Sequence, residues 1–226
     1  MHIAIDTSTD MASLELIQEE QVLVETTWRC RQSHTTQLLP RLSQLLEQSG
    51  LDIKSAEGII VARGPGSYTG LRVGVSTAKG LAFSLGIPIV GISTLEADAY
   101  QHAETGLPIC SILNIGRGEI AAATYQMKDR KWVQLVAEHI STIDVLCSEV
   151  TTKTVFCGEY VPLAAAELKK RLKHMAVIPS PASLLRRAGF LAELGLKRIK
   201  AGDCDDPATL QPLYLRAPAI TQPKKR

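Results

Sequence analysis

Apolar side chains recur with a period of two at the start of this chain and with a helical period after it. Ile3 to Ile5, Met11 to Leu16 and Gln21 to Thr27 read as strands, the last two joined by a turn at Gln18-Glu19-Glu20. Three strands with short connections predict an antiparallel meander. From Ser33 to Gly50 the spacing changes. Leu38, Leu39, Leu42, Leu45 and Leu46 form one apolar face, Pro40 belongs to the first turn, and Ser49-Gly50 ends the helix. Gly58 to Ala62 is a buried strand by its β-branched run, and Arg63-Gly64-Pro65-Gly66-Ser67-Tyr68-Thr69-Gly70 forces a tight loop after it. In the helix that follows, Leu71, Val75, Ala78, Ala82 and Leu85 share a face. Gly86 takes the C-terminal glycine position, and Pro88 opens a strand that runs to Gly91. The first half thus reads β-β-β-α-β-α-β, the order of a ribonuclease-H-like lobe, and Ser93 to His102 adds a short helix.

After Leu107-Pro108 the outline begins again. Strands at Ile109–Leu113, Glu119–Tyr125 and Trp132–Ile140 precede a short helix at Ser141–Glu149, a strand at Thr154–Cys157 and a helix at Pro162–His174. Pro181 opens a further helix predicted to reach about Leu194. The segment from Leu210 to Arg216 reads as extended, docking by Leu213 and Leu215. The expected division is therefore 1–106 and 107–226, the second lobe smaller and its last helix packing back on the first.

Composition narrows the function classes. With 226 residues, 45% hydrophobic, 21% charged and a net charge of +2, the chain has an ordinary globular balance and no general affinity for nucleic acid. The basic end Lys224-Lys225-Arg226 reads as a solvated terminus. Cys30, Cys110, Cys147, Cys157 and Cys204 lack metal or disulfide spacing, which fits reduced thiols in the cytoplasm. No leader and no membrane-spanning run are expected.

The glycine loop carries two readings. With Asp6-Thr7-Ser8 at the end of the first strand, it could hold an anion on converging backbone N–H groups. The contacts would then be Asp6, Thr7, Ser8, Gly64, Gly66, Ser67, Thr69, Gly70 and Arg72. A Walker A ending is absent. Alternatively Gly70, Gly74, Ala78 and Ala82, four residues apart, form a low ridge against which another helix packs; Ser76, Gly80 and Ser84 leave a second low face.

Four stretches carry a resemblance. They are Ile5-Asp6-Thr7-Ser8-Thr9; Ser33-His34-Thr35 with Leu38-Leu39-Pro40; Arg63 to Gly74; and Pro212-Leu213-Tyr214-Leu215-Arg216. In these the chain resembles the TsaB (YeaZ) family of the bacterial machinery that makes threonylcarbamoyladenosine beside the tRNA anticodon. The resemblance implies an α/β, actin-like (ASKHA) fold of two ribonuclease-H-like lobes, with mixed sheets flanked by helices. It implies a non-catalytic subunit that binds and activates TsaD, the paralogue carrying the metal and the transfer chemistry, with TsaE as accessory ATPase. It further implies self-pairing into a homodimer when TsaD is absent, and tRNA reached only through the complex. The family uses the two helices of the first lobe, so the implied interface is Leu38, Leu39, Leu42, Leu45, Leu46, Leu71, Gly74, Val75, Ala78 and Ala82. On this reading Gly74→Arg or Ala78→Glu breaks the complex and spares the fold. No cofactor of its own is expected, with ATP or ADP a candidate at the partner interface.

The chain departs from the family where many members have Asp-x-Arg-x-Gly-Glu-Val-Tyr. Asn114 stands for the carboxylate and Ala121 for the aromatic. A stand-alone actin-like kinase or ATPase, the competing reading, needs a carboxylate from each lobe for Mg²⁺, and Asn114 supplies no charge. His2, His34, His102, His139 and His174 form no zinc helix motif, and Ser67 and Thr69 have no base beside them.

Overall fold

The computed structural model describes residues 1–31 and 33–216; Lys224, Lys225 and Arg226 lie outside the described residues. Strands β1 (His2–Asp6), β2 (Met11–Gln18) and β3 (Gln21–Arg29) form the expected meander, followed by α1 (His34–Gln48), β4 (Gly58–Gly64), α2 (Tyr68–Leu85), β5 (Ile89–Ser93) and α3 (Thr94–Tyr100). The same succession then repeats. It runs through β6 (Ile109–Gly116), β7 (Glu119–Lys128), β8 (Lys131–Ser141), α4 (Ile143–Glu149), β9 (Thr154–Cys157), α5 (Val161–Leu172), β10 (Ala176–Val177) and α6 (Ala188–Lys200).

The sheets have the orders β3-β2-β1-β4-β5 and β10-β9-β6-β7-β8. In each, three antiparallel strands are continued by two parallel ones. Ile3 faces Leu16 and Ile5 faces Leu14 across β1 and β2. Alternation along the strands then divides the first sheet between two cores. Ile3, Ile5, Ile59 and Val61 meet Leu38, Leu42, Leu45, Leu46, Val75, Ala78 and Ala82 of α1 and α2. Ala4, Ile60, Ala62, Val90 and Ile92 meet Leu191, Ala192, Leu194 and Leu196 of α6 on the other face. A third core holds the second sheet under α5, through Val161, Ala164, Leu168 and Leu172. Helix α3 contributes Leu95 and Ala99 to that core and Ala97 to the α6 core, so it links the halves.

Two expectations need correction. The helix predicted from Pro181 to about Leu194 is broken. Pro181–Leu184 is a single 3₁₀ turn, Leu185 and Arg187 are extended, and α6 begins at Ala188. The interruption turns Arg186 into the interior, where it is 3% exposed. The implied partner surface is also wrong in nine of its ten residues. Leu38, Leu42, Leu45, Leu46, Leu71, Gly74, Val75, Ala78 and Ala82 are buried. The reason is that the apolar face and the small-residue ridge of α2 are one face, which the chain's own sheet covers. A Cβ at Gly74 would overlap the Thr7 hydroxyl oxygen. Only Leu39, at 53%, is exposed.

Gly74→Arg and Ala78→Glu therefore test the fold and not a complex. Each forces a long charged side chain into a packed interface, so each should destabilise the chain by about 4 kcal/mol or more. Thermal melts should show a large fall in Tm or a loss of soluble protein; a native melt for either variant would contradict this packing.

Candidate functional site

The loops at the ends of β1 and β4 meet the second half of the chain in a cleft of about 980 Å³. Behind its lining residues Thr9, Gly66 and Ser67 lies a buried floor of short polar side chains that bond one another. Asp6 Oδ1 accepts from the Ser8 backbone N–H at 2.8 Å and from Ser8 Oγ at 2.6 Å. Thr7 Oγ1 donates to the Gly70 carbonyl at 2.7 Å, and the Ser67 N–H donates to the Ser8 carbonyl at 2.6 Å. Gly66 and Gly70 are required by close approach, since a Cβ on either would overlap the carbonyl of Ser8 or Thr7. At Gly64 a Cβ would meet the Leu213 carbonyl, because residues 211–216 run alongside and the Leu213 N–H donates to the Arg63 carbonyl at 2.6 Å.

Arg186 sits in this buried network, joined to the cleft through two lining residues, Thr9 and Glu159. Its guanidinium donates to Asp6 Oδ2, to Ser8 Oγ at 3.1 Å, to Thr9 Oγ1 at 3.0 Å and to Asp98 Oδ2 at 3.4 Å, and Glu159 Oε1 lies at 3.2 Å. Asp6, Asp98 and Arg186 are all buried. Burial works against the guanidinium's charge, but Asp6, Asp98 and Glu159 outweigh it and raise its pKa. Three carboxylates around one cation leave excess negative charge, and a proton reduces it. Burial pushes Asp98 up to about 7, Glu159 and Asp6 add to the rise, and Arg186 opposes it.

This arrangement corrects the anion-contact reading. Asp6, Thr7, Ser8, Gly64, Gly66 and Gly70 are committed to internal contacts, and the N–H groups of Ser67 and Gly70 are already bonded, the latter to Ser67 Oγ at 3.3 Å. Thr69 and Arg72 are exposed. Arg72 lies 4.1 Å over the Tyr68 ring and donates to Tyr214 Oη at 3.3 Å. Asn114 Oδ1 caps its own turn on the Gly116 N–H at 2.8 Å. The residues present do not fit a Mg-ATP site of the actin-like kind, because Asp6 is neutralised by Arg186 and the facing position is an amide. Sequence reasoning missed Arg186. The one signal was an Arg-Arg pair inside a segment otherwise read as helix.

The cleft rim retains Arg29 and Arg117, which have no ion pair among the described residues, and a Tyr68–Tyr214 ring pair with centroids 5.0 Å apart. Outside the cleft, α2 turns Ser76, Gly80, Phe83 and Ser84 to solvent. Phe83 is 84% exposed, and nothing lies within 4 Å of a Cβ built on Gly80. Among the described residues no helix is long and apolar enough to cross a membrane.

Arg186→Met should cost about 3–5 kcal/mol by stranding buried carboxylates. Asp98 gives a sign to the pH dependence. Its folded pKa is raised, so its contribution is complete below its unfolded pKa of about 3.9. It declines by about 1.4 kcal/mol per pH unit above that and is gone once pH passes about 7. Urea midpoints measured between pH 4 and pH 8 should show this fall, flattened in Asp98→Asn; identical slopes in the two proteins would refute it.

Comparison with known proteins agrees with this fold. Residues 28–224 match the family described as TsaD, tRNA N6-adenosine threonylcarbamoyltransferase. The tRNA threonylcarbamoyladenosine biosynthesis protein TsaB of Bacillus subtilis (strain 168) is 32% identical over 95% of this chain and 93% of its own length. The TsaB protein of Haemophilus influenzae is 34% identical over 61% of this chain and 55% of its own. The structure of YeaZ from Pseudomonas aeruginosa superposes with a TM-score of 0.79 at 23% identity, covering 95% of this chain and 99% of that one. With a match of this length to a TsaB protein, on a domain shared with TsaD, the chain belongs to the TsaB family of tRNA threonylcarbamoyladenosine biosynthesis proteins.

Proposed function

We propose that this chain serves tRNA threonylcarbamoyladenosine biosynthesis in the cytoplasm as a non-catalytic subunit. It binds and activates TsaD, acts together with TsaE, reaches tRNA only through the complex, and pairs with a second copy when TsaD is absent. The observation that carries this reading is Arg186. A buried guanidinium behind the cleft's lining holds Asp6, the strand-end carboxylate that an actin-like enzyme would need free for Mg²⁺. That weighs against a stand-alone kinase or ATPase, and no observation favours one.

Two further features support the docking role. The outward face of α2 puts a large exposed aromatic beside a glycine and serines, so a partner helix can approach closely with Phe83 as an anchor. This is the low-profile face left after the sheet has covered the other. The cleft rim, with Arg29, Arg117 and the Tyr68–Tyr214 pair, suits ATP or ADP held where the partner closes over it.

Phe83→Asp and Gly80→Arg should keep the wild-type melt, because both positions face solvent. Both should weaken capture of purified TsaD at least about thirtyfold, the loss typical of an anchor residue, and shift the isolated chain toward monomer. Unimpaired capture by both variants would overturn the assigned surface. Calorimetry of the isolated chain with Mg-ATP should give no binding heat; unaided ATP turnover would overturn the non-catalytic reading.

A further inference from the structure

A second cavity, of about 340 Å³, lies where the free edges of the two sheets approach each other. One wall comes from the end of β4, from β5 and from α3, and carries Arg63, Ser93 and Glu96. The other comes from β7 and β8 and carries Tyr125, Trp132 and Glu138. It shares no lining residue with the larger cleft.

Its charged groups are not paired with one another. Arg63 Nε is buried with no acceptor, and its guanidinium forms no ion pair among the described residues. Arg198, the other cation on the cavity, is already held by Asp203, by Asp205 and by the Gly91 carbonyl. Glu138 accepts only from neutral donors, Tyr125 Oη at 3.0 Å and Gln134 Nε2 at 3.0 Å. Ser93 Oγ and Trp132 Nε1 are buried without a hydrogen bond. They stand near enough to Glu138 and Glu96 to favour those carboxylates' charged forms, yet outside bonding geometry. Burial and the neighbouring Glu138 raise Glu96, with Trp132, Arg198 and Arg63 opposing the rise.

An unspent cation and two carboxylates thus border one cavity without touching. Arg63 is half-buried, but its Nε is sealed from solvent without an acceptor, which is costly, and a ligand carrying an anion toward it recovers that cost. The two carboxylates call for a cation in the same ligand. The volume is at the small end of ligand pockets, which suits a molecule of few heavy atoms and excludes a nucleotide. We propose that this cavity binds a small zwitterion of the α-amino acid class. Its carboxylate lies on the Arg63 guanidinium and its ammonium between Glu96 and Glu138, while Ser93 and Trp132 complete the hydrogen bonds.

The test uses the full chain and L-alanine, with propionate and ethylamine as the two halves of that probe. Trp132 lines the cavity, so its fluorescence, isolated in a Trp28→Phe background, reports binding alongside calorimetry. The expected result is a saturable signal with L-alanine and signals at least about tenfold weaker with either half, the factor worth 1.4 kcal/mol. Arg63→Met should abolish the response. Because the Arg63 stem packs against Gly91, Glu138→Gln on the other sheet provides a second variant, accepted only with a wild-type melt, and it should weaken L-alanine at least about tenfold while leaving propionate unchanged. No saturable response to L-alanine would mean bridging water only and would overturn the proposal. So would propionate binding as tightly as L-alanine, or a full response in folded Glu138→Gln protein.

Discussion

One buried guanidinium ties this molecule together. Arg186 joins the end of β1 to α3 through Asp6 and Asp98, and reaches Glu159 just before α5. Four segments far apart in sequence therefore meet on a single cation. Such a cluster is expensive to desolvate and repays the cost only when each hydrogen-bonding position is used. Here the donors go to Asp6, Asp98, Ser8 and Thr9, with Glu159 beside them. The same requirement explains the local backbone. A continuous helix from Pro181 would place Arg186 and Arg187 only about 100° apart on one surface. The extended step at Leu185 and Arg187 lets one arginine enter the cleft floor while the other pairs with Glu25 outside. The broken helix and the neutralised cleft are thus one event.

The second constraint is how closely α2 lies on the loop after β1. Gly66, Gly70 and Gly74 follow one another along the start of this element, and each would collide with Ser8 or Thr7 if it carried a side chain. The glycines bring the helix down onto a polar loop, and Thr7 bonds the Gly70 carbonyl in return. The N–H groups of Ser67 and Gly70 are spent on the same contact, so this part of the loop holds the lobe together.

Much of the fold was legible because alternation and helical period are local signals. The meander, the strand–loop–helix unit and its glycine cap all stand in the structure where the pattern puts them. The site was less legible for two physical reasons. Periodicity identifies the buried face of a helix but does not say what buries it. Val75, Ala78 and Ala82 gave a face, and the sheet, not a partner, covers it. The informative residue was Phe83, an aromatic out of phase with the apolar stripe, since a large apolar side chain on the polar side marks an uncovered surface. Arg186 was invisible for a different reason: its partners lie 27 to 180 residues away, and pairing at that range leaves no local pattern.

Two other ionisable side chains with unpartnered buried atoms show what separates a structural compromise from a binding site. Glu15 is fully buried beneath α6 and neither oxygen has a hydrogen bond. Burial pushes it up to about 8, with Glu25 adding and Arg187 opposing, so at neutral pH it holds a proton and the charge disappears. A carboxyl group can resolve its isolation in this way without any partner. A guanidinium cannot, because it stays charged in every protein environment. Arg63 keeps its charge, its Nε has no acceptor within the chain, and the cavity it borders has room for one. The difference between the two residues is set by their acid–base chemistry, and it makes the cavity between the sheet edges the place where this fold asks for a ligand.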